Sequence, residues 1–371
     1  MNTIFFALAM IANVLAGQTG TQPDLQKNAT QLIVGRINDL NTQLQQKGLG
    51  DYVQLTLAWG PVVYQAPGSK VADNVVYVVQ NTKAPNDYTI GIAGTNFNSP
   101  WDWLLEDGLV GATVPWIDGA PSAGRIALGT SLGLQIVKSL QSVPTVPQGS
   151  NRALTLEAYL TQQLGDQKGN IYVTGHSLGG ALSPVTGLWL SDRKTNWPNA
   201  TVSVYTFAGP TPGNAAFAAF YAGKLGANTT RVWNQLDVVP HAWAQQAPPT
   251  LSQIPGLYQS LPAKGNVSPS KDVNDLIDVL KYISRKTDYA PANQAAGFSN
   301  PNDYADVSAC TSDLAKFLVQ AVYQHINAYG NYYKVPVKQL LTCQEAGAAA
   351  KELSARMRTQ VATEASSRGT R

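Results

Sequence analysis

Asn170-Ile-Tyr-Val-Thr-Gly-His-Ser177-Leu-Gly-Gly-Ala-Leu-Ser183 reads as a strand, a sharp turn and the start of a helix. Ile171, Tyr172 and Val173 are the β-branched and aromatic residues a buried strand prefers, and small residues then lead into an apolar helix from Ala181 to Leu190. A serine at the apex of such a turn has a strained backbone and an accessible hydroxyl. Glycines two residues to either side, Gly175 and Gly179, let strand and helix close up without Cβ clashes. The helix N-terminus beneath it supplies N–H groups and a positive dipole end where an oxyanion forms. The pentapeptide G-x-S-x-G is common by chance; the strand before it and Gly180-Ala181 after it make Ser177 the candidate nucleophile.

The chain carries its own control. Gly129-Thr130-Ser131-Leu132-Gly133 matches the same pattern, but Ile126, Leu132, Ile136, Val137 and Leu140 set it inside one helical period with no strong strand ahead. Ser131 is therefore read as structural.

Outward from the turn, strand and helix alternate. Upstream lie a helix over 25–44 that ends at Gly48-Leu49-Gly50, three strands (52–58, 75–79 and 88–92), and helices over 123–140 and 154–164. Downstream follow strands at 202–207 and 229–234 with a helix near 214–221 between them. This order predicts an α/β fold with a central, mostly parallel sheet covered by helices on both faces. Beyond Pro240 the pattern loosens: 244–269 is rich in Pro, Gln, Ser and Gly, a helix returns at 273–283, and 313–328 is an amphipathic helix. From Ala346 the composition shifts to Ala, Glu, Lys and Arg, as in a surface helix that frays into a tail.

At 371 residues, one large domain can bury a substantial core. Charged residues make up 13%, about half the usual ~25%, and the net charge is only +3, so the chain offers no electrostatic face for nucleic acid. The apolar run from Ile4 to Leu15 is too short for the ~20 residues of a membrane span. With Val14-Leu15-Ala16 at its end, residues 1–16 read as a signal peptide, which implies a secreted or periplasmic protein. The other reading is an apolar N-terminal helix packed on a cytoplasmic domain. Cys310 and Cys343 are the two cysteines, and they form either a disulfide or two buried thiols.

A serine hydroxyl at neutral pH needs a base, and the base needs a carboxylate to fix its tautomer. Three histidines exist. His176 adjoins the serine and points into neighbouring packing. His241 follows Asp237 closely and suits the mouth of a pocket, and His325 lies in Val322-Tyr-Gln-His325-Ile-Asn-Ala-Tyr329. Chain order Ser, Asp, His fits Ser177 and Asp237 with His325 as the base, and His241 is the alternative base. No H-E-x-x-H or clustered cysteine pattern asks for a metal, and no cofactor is implied.

Together these blocks resemble the class 3, fungal-type lipases of the α/β-hydrolase fold. Ile92-Ala-Gly-Thr95 resembles the family's oxyanion block, with Ala93 where arginine is usual, and Trp103 with Glu106 or Asp107 resembles the tryptophan and acid that follow. Gly124-Arg-Ile-Ala-Leu-Gly129 resembles the block before the nucleophile, Tyr205–Asn214 the T-F-G-x-P-x-x-G-N block, and Arg231–Pro240 the block that carries the triad acid. The resemblance runs from about residue 50 to 335.

It implies a serine carboxylester hydrolase, most nearly a lipase acting on acylglycerol esters. Ser177, Asp237 and His325 form the triad, and the backbone N–H groups of Thr95 and Leu178 form the oxyanion hole. A phospholipase A1 or a feruloyl-type esterase would use the same triad, and a non-catalytic lipid- or partner-binding relative is the reading from another class. The expected partner is a lipid or other ester, met through transient contact with a lipid–water interface. The expected organisation is one domain over 17–343, with a cap insertion at about 242–310 that covers the acyl pocket and a helical or disordered tail from 344. The apolar segment 96–122 is read either as a lid or as ordinary packing.

Overall fold

The structure is a computed structural model that describes residues 1–94, 108–117, 119–146, 152–293, 295–337 and 341–368, with side chains to residue 356. Two helices open the chain, α1 (Asn2–Ala12) and α2 (Gln22–Gln46). Thr21 caps α2 through the Asp24 N–H, and Pro23 sits in its first turn, where no N–H is needed.

A six-stranded sheet follows: β1 (Leu55–Tyr64), β2 (Asn74–Asn81), β3 (Ala84–Ile92), β4 (Gly169–His176), β5 (Ala200–Phe207) and β6 (Thr229–Val232). The strands stand side by side in chain order. β1 to β3 pair antiparallel through short connections, whereas β3 to β6 pair parallel and need helical crossovers. Those crossovers are α3 (Leu128–Ser139) and α4 (Leu156–Leu164) before β4, α5 (Leu178–Asp192) before β5, and α6 (Ala215–Leu225) before β6. The helix expected over 123–140 begins at Leu128. Arg125–Ala127 pairs instead with Thr113–Pro115 as a short antiparallel ladder.

The strands alternate sides as their period of two requires. Val76, Val78, Ile171 and Val173 face α5 and its neighbours, in a core with Leu182, Val185 and Leu188. Val75, Tyr77 and Val79 face the opposite way, onto α1 and α2. Residues 1–16, expected as a removable export leader, thus form a wall of the domain. Phe6 is fully buried, Phe5 stacks on Tyr205 at 3.9 Å, and the Tyr77 hydroxyl donates to Leu8 O at 2.7 Å. The apolar run packs on that face through Ala7, Leu8, Ile11 and Leu15.

The C-terminal third contains α7 (Lys271–Ser284), α8 (Asp313–Val322), one π-helical stretch at Tyr323–Asn327, α9 (Ala328–Tyr333) and α10 (Cys343–Arg368). Residues 242–310, expected to cap the pocket, build a second core in which Trp243, Leu276 and Leu280 pack with Phe317. The expected tail is helical, and its first turns are held, since Ala346, Ala350 and Leu353 are buried in that core. A Cys310–Cys343 disulfide bridges 33 residues of sequence there. Closing a loop of that length stabilises by roughly 3–4 kcal/mol. No described helix is long and apolar enough to cross a membrane.

Candidate active site

β4 ends at His176 and α5 starts at Leu178, so Ser177 alone makes the turn, at φ 61° and ψ −127°. A non-glycine residue held there costs about 1–3 kcal/mol. Its surroundings hold it: the Ser177 N–H donates to Phe207 O at 3.1 Å, and Ser177 O accepts the Ala181 N–H at 3.2 Å. The flanking glycines are there for space. A Cβ on Gly175 would lie 2.3 Å from Gly179 O, and one on Gly179 would lie 2.3 Å from Ile92 O. Leu178 is the first residue of α5, so its amide belongs to the opening turn, whose N–H groups have no helical acceptor.

Asp237 lies beyond the end of β6 and is fully buried. Its Oδ2 is 2.9 Å and its Oδ1 3.1 Å from Nδ1 of His325. Two further donors complete the carboxylate: the Tyr329 hydroxyl to Oδ2 at 3.0 Å and the Val239 N–H to Oδ1 at 3.0 Å. Burial first, and then the nearby Asp237 charge, hold the Tyr329 phenol well above its ordinary range, so it remains a donor. The same oxygen accepts the Asn234 N–H at 2.8 Å, which ties the loop carrying the acid to the helix carrying the base.

His325 stands at the centre of the π-helical stretch, not on an open loop. Such widened turns are frequent at functional sites because they re-aim a side chain without ending the helix. Tyr329 lies four residues on, one turn away. His176, read from sequence as a packing residue, packs against the base itself. Its ring lies 4.6 Å from that of His325, and its Nε2 is 2.8 Å from His325 O. A carbonyl only accepts, so the His176 Nε2 carries the proton. Burial, and secondarily the adjacent His325, hold the His176 pKa well below its ordinary value, so the ring is neutral.

Ser177, His325 and His176 line one cavity of about 610 Å³. Its other walls are not where sequence set them. None of the described residues of 242–310 lines it; Met10, Ile11 and Val14 close one side, and Val238, Val322 and Ile326 another. Arg36, Asp39 and Gln43 of α2 add a polar rim. His241, expected at the pocket mouth, is buried away from the cavity, with ring nitrogens 3.2 Å from Thr250 O and 3.3 Å from Gln235 O. Ser131 is in α3, as expected. Thr95, Trp101, Trp103, Glu106 and Asp107 lie outside the described residues, and with them most of the expected lid. Of its described remainder, Trp116 packs edge-on against Phe217 at 5.5 Å, and Ile117 is 41% exposed.

The fold has a known counterpart. The structure of M37 lipase superposes with a TM-score of 0.72 at 30% identity, covering 90% of this chain and 92% of that one. The chain belongs to the class 3 lipases. The model of that family, lipase (class 3), matches residues 135–247, a span that holds Ser177 and Asp237 and stops short of His325 and of α1 and α2. A lipase of Rhizopus niveus is 38% identical over 71 residues, 19% of this chain and 18% of that protein. The chloroplastic phospholipase A(1) DAD1 of Arabidopsis thaliana is 30% identical over 208 residues, 55% of this chain and 40% of its own length. The chain thus spans less than half the length of these curated relatives. Within the class 3 lipases the α/β-hydrolase fold is shared, and the sheet order and elbow described above are this member's version of it.

Proposed function

We propose that the protein is a serine carboxylester hydrolase, a lipase that cleaves acylglycerol esters. Ser177 Oγ attacks the ester carbonyl carbon while His325 takes its proton through Nε2, Nδ1 being engaged by Asp237. The tetrahedral oxyanion is met by the backbone N–H groups of Leu178 and Thr95. Losing one such donor typically costs roughly 3–4 kcal/mol of barrier. Collapse expels the alcohol, which receives the proton from His325, and water then repeats the sequence on the acyl-enzyme. What supports this reading above all is the buried Asp237–His325 pair at 2.9 Å, opening onto the same cavity as a serine with φ 61°.

A second reading, phospholipase A1, has its own support in the 208-residue likeness to the plant enzyme. One experiment separates the alternatives. The purified chain is first treated with a fluorophosphonate and the adduct mapped, then given p-nitrophenyl esters, triglycerides and phospholipids, the triglyceride arm crossing the solubility limit. Labelling at Ser177 with triglyceride turnover is expected, and a rate that climbs past the limit fits contact with a lipid–water interface. Preferential release of the sn-1 acyl chain of phospholipid favours the second reading, and no adduct at Ser177 ends both.

We also propose that the protein is secreted or periplasmic, an oxidising compartment in which the Cys310–Cys343 bond persists. Thiol alkylation of unreduced protein from its native source is expected to add nothing at either cysteine; modification at both would remove the reading.

A further inference from the structure

α1 meets the sheet at three heights. Phe5 O accepts the Thr174 hydroxyl at 3.1 Å, Leu8 O accepts the Tyr77 hydroxyl at 2.7 Å, and at the exit of the helix stands Asn13. The first two contacts fasten the helix. The third fastens something else to it: Asn13 Oδ1 accepts the backbone N–H of Gly94 at 2.8 Å, across 81 residues of sequence, while its Nδ2 donates to Ala9 O at 2.9 Å. One neighbour is a donor and the other an acceptor, so the amide has a single orientation that satisfies both.

Gly94 is the residue that leads into Thr95. It lies hard against the elbow, where a Cβ would fall 2.8 Å from His176 O and 3.1 Å from Ser177 Cβ. Its N–H is spent on Asn13, so Gly94 cannot itself donate to an oxyanion; its placement sets where the next peptide group starts. Asn13 also borders the cavity that holds Ser177 and His325.

We propose that Asn13 is a positioning residue, which fixes Gly94, just beyond β3, against Ser177 and makes α1 a working part of the active site as well as a wall of the core. The inference rests on the hydrolase reading. It predicts that the Asn13 side chain matters to the transition state and little to ground-state binding, because an oxyanion donor displaced by a fraction of an ångström is felt where charge develops.

The test compares three variants of the full chain on a soluble short-chain p-nitrophenyl ester, with inhibition by a trifluoromethyl ketone that forms a tetrahedral adduct on serine. Asn13→Leu, of similar size and without the acceptor, is expected to lower kcat roughly 10- to 100-fold with KM within about threefold, and to weaken the ketone by the same factor. Asn13→Asp keeps an acceptor for the Gly94 N–H and gives up the bond to Ala9 O; it is expected to recover most of that loss. Tyr77→Phe loosens the docking of α1 without touching Gly94, and is expected to lower Tm while leaving kcat and ketone affinity within about twofold.

Wild-type kcat in Asn13→Leu overturns the proposal. So does a Tyr77→Phe variant that loses as much kcat as Asn13→Leu, since the effect would then be helix docking. Should Asn13→Leu fail to fold, Asn13→Ala takes its place under the same criteria. A wild-type protein that forms no ketone adduct removes the hydrolase reading and this one with it, whereas a reactive wild type with an equally reactive Asn13→Leu removes this one alone.

Discussion

Two pentapeptides in this chain share one pattern and nothing else. Gly175-His176-Ser177-Leu178-Gly179 spans the end of β4, a one-residue turn at positive φ and the start of α5; Gly129-Thr130-Ser131-Leu132-Gly133 runs through the first two turns of α3. In the first, both glycines exist because backbone presses on them from Gly179 and Ile92. In the second, a Cβ on Gly133 would meet only the end of the Leu182 side chain, at 2.6 Å, and one on Gly129 only Leu109, at 3.4 Å. A serine placed at the junction of strand and helix is what turns a pattern into an elbow; the short strand Arg125–Ala127 ends before Gly129, which leaves Ser131 inside the helix.

The difference is open to attack position by position. At the centre, Ser177→Ala is expected to lower kcat/KM for a p-nitrophenyl ester by at least about 10⁴-fold, while Ser131→Ala stays within twofold and moves stability by less than about 0.5 kcal/mol. Equal losses from both would void the contrast. At the last position, Gly179→Ala pushes a methyl into the backbone oxygen of Ile92 and is expected to lose roughly 3 kcal/mol or more, or to yield no soluble protein. Gly133→Ala gains helix propensity of about 1 kcal/mol against a side chain able to yield, so urea unfolding should find it within about 1 kcal/mol of the wild type.

The smallest effect sits at the second position, where His176 stands opposite Thr130. A histidine in the unfolded chain takes up its proton near pH 6.5, whereas buried His176, and buried His241 elsewhere, stay neutral to lower pH. The unfolded state therefore binds more protons in that window. Stability is full above about pH 6.5 and falls as pH drops below it, by up to about 1.4 kcal/mol per pH unit for each ring. Denaturant midpoints at pH 7.5, 6 and 5 should show this slope reduced in His176→Gln and unchanged in Thr130→Ser. An unchanged slope in His176→Gln would mean that the ring is not held neutral.

Much of this was legible beforehand. The alternation of strand and helix and the turn at Ser177 follow from local periodicity and residue type, and the structure has them as a strand ending at His176 and a helix starting at Leu178; the assignment of Asp237 and His325 rests on chain order and the family resemblance. Readings stayed open, or were corrected, where one local signal serves two ends. The apolar run at Ile4–Leu15 suits both a leader and a helix laid on a sheet, and nothing within it tells which. The loose stretch 242–310 was read as a cap because it was extra, yet it folds away from the cavity around Trp243 and Leu276. His176 is packed as expected, against Phe6 and Tyr329, but its acceptor, the His325 carbonyl, is 149 residues away and no local signal points to it.

By itself the sequence determined the alternation that makes a covered sheet, the single position where strand meets helix through a serine, and the set of groups able to serve it. Those are properties of short windows, fixed by backbone sterics and side-chain chemistry. Only the tertiary structure decided that α1 and α2 line the cavity, that His325 sits on a widened helical turn held by Tyr329 and His176, and that Asn13 reaches Gly94. Each of these is a contact between segments far apart in the chain. Such contacts depend on which face of the sheet a helix covers, and no short stretch of either partner encodes that.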